Sequence, residues 1–140
     1  MKIGIASDHA GYELKEYLKK HLESKGFEVT DFGADSTSAV DYPDYAHLMG
    51  NAVDSGETEI GIAVCHTGNG MSIALNRHKR VRAALCWNEK TAELARRHNN
   101  ANILSLPAGF ISRNEAADMT NVFLTTSFEG GRHERRIEKI

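Results

Sequence analysis

A chain of 140 residues with 41% apolar and 26% charged positions has the length and balance of one globular domain with a single core. A net charge of -2 provides no general basic field, which argues against nucleic acid and anionic membranes as partners. The opening "MKIGIASDHA" reaches Asp8 and His9 too early for a secretory leader, and no stretch has the length of a membrane span, so a cytoplasmic location is expected.

"KIGIAS" is a short β-type run. The segment "YELKEYLKKHLESKG" follows, with Leu14, Tyr17, Leu18 and Leu22 on one helical face and Gly26 as the stop. "FEVTDFG" reads as a second strand. "DYPDYAHLMGNAVDSG" then gives a helical stripe of Tyr45, Leu48, Met49, Ala52 and Val53. "EIGIAVC" is almost continuously apolar, as a strand covered on both faces must be. After a glycine-containing loop comes a short helix over 71–76, and "VRAALC" is a fourth strand. Asn88 caps a helix running to about Arg97, and "ANILSLP" is a fifth strand. In "SRNEAADMTNVFLTT", Ser112 and Glu115 have capping-box spacing, while Ala116, Met119 and Phe123 face inward.

This alternation specifies an α/β fold with a five-stranded parallel sheet, and no linker, repeat or low-complexity stretch divides the chain. Ligands of such sheets bind beyond the carboxyl ends of the strands, which selects the loops 7–11, 33–43, 65–72 and 86–88.

Those loops hold most of the chemical signals. Gly68-Asn69-Gly70 stands between a buried strand and a helix start, where it is either a tight turn or a nest of N–H groups for an anion. It lacks the third glycine of a dinucleotide fingerprint and the Gly-Lys-Ser/Thr of a P-loop. Cys65, next to His66 and ahead of the nest, can serve as base or nucleophile, or be an inert buried thiol. Cys86, between "VRAAL" and Trp87, fits the inert description better, and in a reducing compartment the two thiols are expected to be free.

Neither cysteine has zinc spacing. Asp41, Asp44 and His47 lie three apart, but Asp44 is also where a first helical turn favours an acid, so no metal is expected. Asp8 and His9 end the first strand, and His98-Asn99 comes where the fourth helix meets the fifth strand. An imidazole at either place can move a proton on a sugar hydroxyl or merely interact with a helix terminus. In the tail, Arg132 and Arg136 share a helical face beside His133, suiting either a phosphate or a solvated surface paired by Glu134 and Glu138. A base, an anion nest, proton-handling imidazoles and a phosphate clamp are together what a cofactor-free aldose–ketose isomerase of a phosphosugar requires.

"ASDHAG", "DYPDYA", "CHTGNGMSIALNR", "RAALCWNEKTAELARRHNNAN" and "FEGGRHERRI" closely resemble the ribose-5-phosphate isomerase type B family, which also includes allose- and galactose-6-phosphate isomerases. The resemblance covers essentially the whole chain. It implies a Rossmann-like three-layer α/β/α domain spanning 1–140 and a role in pentose phosphate metabolism. It also implies a homodimer or dimer of dimers with sites between subunits, the tail 128–140 reaching the neighbour. Cys65 matches the base that moves a proton between C1 and C2, His98 the acid/base that opens the sugar ring, and Thr67 a hydroxyl that assists. His66, Gly68, Asn69 and Gly70 match the loop that holds the enediolate. Asp8, His9, Tyr42 and Asn99 match sugar contacts, and Arg132, His133 and Arg136 match phosphate contacts.

Two positions depart from the family's habit: His66 replaces a glycine, and Gly109 replaces an arginine that helps grip phosphate. A lost charge-assisted contact costs about 1.5–3 kcal/mol. Gly109→Arg is therefore expected to tighten phosphate capture unless Arg113 already substitutes. The expected reaction is interconversion of ribose 5-phosphate and ribulose 5-phosphate. A six-carbon 6-phosphate substrate, or a non-catalytic sugar-phosphate binder, are the other readings.

Overall fold

The computed structural model describes residues 2–140. Strands and helices alternate: β1 (Lys2–Ser7), α1 (Tyr12–Ser24), β2 (Glu28–Asp31), α2 (Tyr42–Ser55), β3 (Ile60–Cys65) and α3 (Asn69–Leu75). They continue as β4 (Ala83–Leu85), α4 (Glu89–Asn99), β5 (Ile103–Pro107), α5 (Arg113–Thr125) and α6 (Arg132–Ile137). The five strands form one sheet in the order β2-β1-β3-β5-β4, every pairing parallel. The α/β fold with a five-stranded parallel sheet is thus the one expected.

Strand alternation divides the core into two layers. Ile3, Ile5, Ile62, Val64, Leu104 and Leu106 face the side covered by α1, α4 and α5, meeting Leu18, Ala95, Met119 and Phe123. Ala6, Ala63, Cys65 and Ile103 face the other side, against Met49 and Val53 of α2 and Met71 and Leu75 of α3. This is the three-layer α/β/α arrangement, and it directs Cys65 towards α2 and α3.

Local signals explain most boundaries. Asn88 and Ser112 accept from the N–H groups of Thr91 and Glu115 in complete capping boxes, and α2 ends where Gly56 turns left-handed. β2 and β4 are shorter than the apolar runs that announce them, because both are edge strands with one neighbour each. α3 begins at Asn69 rather than 71. α4 runs past Arg97 to Asn99, so His98 and Asn99 belong to its last turn rather than to a junction.

Two side chains depart from the helical stripes. Leu48 is not inward but half exposed, and Ala46 and Gly50 share the buried face of α2 with Met49 and Val53. Lys15 is fully buried although its residue type predicts a surface position. Both oxygens of Asp31 accept from its ammonium at 2.7 Å, clamping α1 to β2. Among the described residues, no helix is long and apolar enough to cross a membrane.

Candidate active site

β1 has β2 on one flank and β3 on the other, so the loops leaving β1 and β3 diverge and open a crevice at the carboxyl edge. Asp8 lies at its foot. Its amide donates to Val64 O at 3.3 Å, and its Oδ1 accepts from Gly11 N–H at 3.0 Å. Glycine is required at 11, since a Cβ there would stand 2.5 Å from Val64 O. His9 follows, with Nδ1 accepting from Val40 N–H at 3.1 Å, which leaves Nε2 as its disengaged nitrogen.

Cys65 ends β3 opposite this turn and is buried. The Gly68 N–H donates to its Sγ at 3.1 Å, fixing the direction of the sulfur. Gly68 can do this because its φ is +80°, and its carbonyl is held by Ser72 Oγ at 2.7 Å and Ser105 Oγ at 3.0 Å. Asn69 N–H donates to Thr67 Oγ1 at 3.2 Å. The Gly70 N–H belongs to the first turn of α3, whose donors have no intrahelical acceptor. The Tyr42 ring packs on Gly70, where a Cβ would come within 2.7 Å of it. One edge of the sheet therefore gathers Asp8, His9, Tyr42, Cys65, His66, Thr67, Gly68, Asn69 and Gly70.

The remaining candidates are elsewhere. α4 leaves the carboxyl end of β4 and returns to the start of β5, so its last turn, with His98 and Asn99, lies at the amino edge. In the shared register Cys65 pairs with Pro107 and Gly61 with Ile103. Those four residues correspond to about 13 Å along the strands, a lower bound on the offset between the two edges. The tail lies beside His98: Glu129 N–H donates to Arg97 O at 3.0 Å, and the His133 ring stacks on that of His98 with centroids 4.3 Å apart. Arg132 and Arg136 are exposed on α6, while the ion pairs of this region run through Glu129.

Glu129 is a residue that sequence reasoning passed over. Its carboxylate lies 3.9 Å from His98 Nε2, 3.7 Å from His133 Nε2 and 3.2 Å from Arg97. Its i,i+4 spacing to His133 was the available signal. Among the described residues His98, Glu129 and His133 are the group close enough together to share a cation, whereas Asp41, Asp44 and His47 form no such cluster. The two rings lie within 13° of parallel, so their nitrogens stand side by side rather than converging on one ion.

The other sequence signals divide clearly. Cys86 is buried, burial pushes its thiol up to about 11, and both cysteines are free. Arg113 lies over the Tyr17 ring, 5.6 Å from its centroid. His66 is exposed, and its ring occupies the space above Gly109.

Comparison with known proteins adds a family. A ribose 5-phosphate isomerase from Thermotoga maritima superposes with a TM-score of 0.97 at 54% identity, covering 99% of this chain and 95% of that one. Ribose-5-phosphate isomerase B from Mycoplasma genitalium, solved with bound ribulose 5-phosphate, gives 0.94 at 45% identity over 99% and 92%. Ribose-5-phosphate isomerase B of Escherichia coli is 39% identical over 139 residues, 99% of this chain and 93% of its own. The Ribose/Galactose Isomerase family model matches residues 3–140, and the chain belongs to that family.

Proposed function

We propose that this sugar phosphate isomerase interconverts ribose 5-phosphate and ribulose 5-phosphate in a site completed by a second copy of the chain. The observation that carries this reading is the division of the candidate residues between opposite edges of the sheet. Cys65 and its loop occupy one edge, and His98 with the arginine-bearing tail occupies the other. A two-fold dimer brings one chain's carboxyl edge to its partner's amino edge and repeats the junction twice. Tyr42, Trp87 and Phe110 support such docking, being large, exposed apolar residues at the carboxyl edge.

In this scheme His98 donates a proton to the ring oxygen of the cyclic aldose as the C1 hydroxyl gives up its own, so the bond from C1 to the ring oxygen breaks and the carbonyl is freed. Cys65, as thiolate, then removes the proton from C2, and the electron pair moves to give an enediolate. The remaining N–H groups of the loop, Gly70 among them, hold the developing oxyanion. Cys65 returns the proton to C1 while the O2 hydroxyl proton passes to O1, which gives the ketose, with Thr67 assisting. Asp8, His9, Tyr42 and Asn99 position the hydroxyl groups, and Arg132, His133 and Arg136 take the phosphate. No redox group is needed, because the hydrogen leaves and returns as a proton.

Turnover of Cys65→Ala tests the chemistry. Loss of the base lowers kcat by about 10²–10⁴-fold, while ribose 5-phosphate still binds by calorimetry. Wild-type turnover in the variant contradicts the assignment.

A further inference from the structure

His66 and Gly109 meet across the carboxyl ends of β3 and β5. A Cβ on Gly109 would stand 2.2 Å from His66 Cε1, 2.4 Å from Nδ1 and 2.9 Å from Nε2. Gly109 has no left-handed φ that calls for glycine, so the imbalance of size is explained by the imidazole. The ring is also held from the side, packing on Phe110 with centroids 5.4 Å apart and a tilt of 56°. The backbones are tied beneath it: Ala108 N–H donates to Cys65 O at 2.8 Å and Gly109 N–H to His66 O at 2.9 Å. His66 and Gly109 therefore share one volume at the carboxyl ends of β3 and β5, with His66 one residue along the chain from Cys65.

We propose that His66 and Gly109 form one interdependent specificity element. The imidazole walls the sugar site on the β5 side of Cys65 and disfavours a phosphosugar one carbon longer. This rests on the isomerase reading above. It also changes the expectation for Gly109→Arg, because any side chain at 109 must first displace His66. Since the obstacle is the far end of an exposed side chain, a small residue at 109 moves the ring without disturbing the fold.

The test is a double-mutant cycle with His66→Ala and Gly109→Ala, reading kcat/KM for ribose 5-phosphate and for allose 6-phosphate. One methylene in a fitted pocket is worth about 10–200-fold in discrimination. His66→Ala is expected to lower the pentose-to-hexose ratio at least about tenfold. Gly109→Ala should reproduce most of that loss alone and change the ratio less than about twofold in the His66→Ala background. A ratio unchanged in His66→Ala, or equal effects of Gly109→Ala in both backgrounds, overturns the proposal. Wild-type protein inert towards both sugars would instead overturn the isomerase reading beneath it.

Discussion

The position of the Cys65 sulfur depends on a residue with no side chain. Gly68 holds φ at +80°, and a Cβ there would meet Leu85 Cδ1 at 2.4 Å, so the turn that brings its N–H to Sγ admits glycine alone. Gly68→Ala should destabilise the fold by about 1–3 kcal/mol through backbone strain, measured by urea unfolding, and reduce kcat as well. A variant of wild-type stability and turnover would show that the turn relaxes freely. In the sequence "CHTGNG" offers a candidate base beside either a tight turn or an anion nest. Which glycine does which job was not legible there, because a left-handed φ and the distance to Leu85 exist only once β3, β4 and α3 are assembled.

At the scale of elements, the attachment of α1 to the sheet edge rests on an ion pair inside an otherwise apolar contact. Burial raises the Asp31 carboxyl, but hydrogen bonds from Lys15, the Gly33 N–H and Lys19 outweigh it and hold the group below its usual range. The same carboxylate, with Glu16, pushes the Lys19 ammonium up. A depressed carboxyl stabilises the fold above its unfolded value of about 4 and loses that contribution as pH falls through its lower folded value. Lys15→Met keeps the aliphatic bulk and removes the pair, and a cost of about 1–3 kcal/mol near neutrality is expected for this partly screened partner. The difference from wild type should narrow below about pH 4, as followed by denaturant melts across pH. A difference independent of pH would remove Asp31 from the explanation. Helices were readable from periodicity and caps, as Ser112 and Asn88 show. Lys15 and Leu48 were not, since burying a cation or exposing a leucine reflects a neighbour on another element rather than the local pattern.

For the whole molecule, the order of elements indicated the sheet, but not where a helix's last turn would lie relative to a strand's end. The resemblance alone links His98 with Cys65, in a site between subunits, and within one chain the crossover helix α4 returns its carboxyl end to the opposite edge of the sheet. Ile73 on α3 is 62% exposed, and with Tyr42 and Trp87 it offers apolar surface to the proposed partner chain. Ile73→Asp should leave the fold intact and weaken self-association, read by light scattering after size-exclusion chromatography. An unchanged mass would contradict self-association through this surface.

The proposed two-chain site is tested most directly by mixing Cys65→Ala with His98→Ala under conditions that exchange subunits. Each variant alone should be nearly inactive. In a two-fold dimer, random exchange makes half the molecules hybrids with one intact site each, so about a quarter of wild-type activity should return. Hybrids that form, as shown by mass spectrometry, yet recover no activity would mean that Cys65 and His98 do not meet across the subunit boundary.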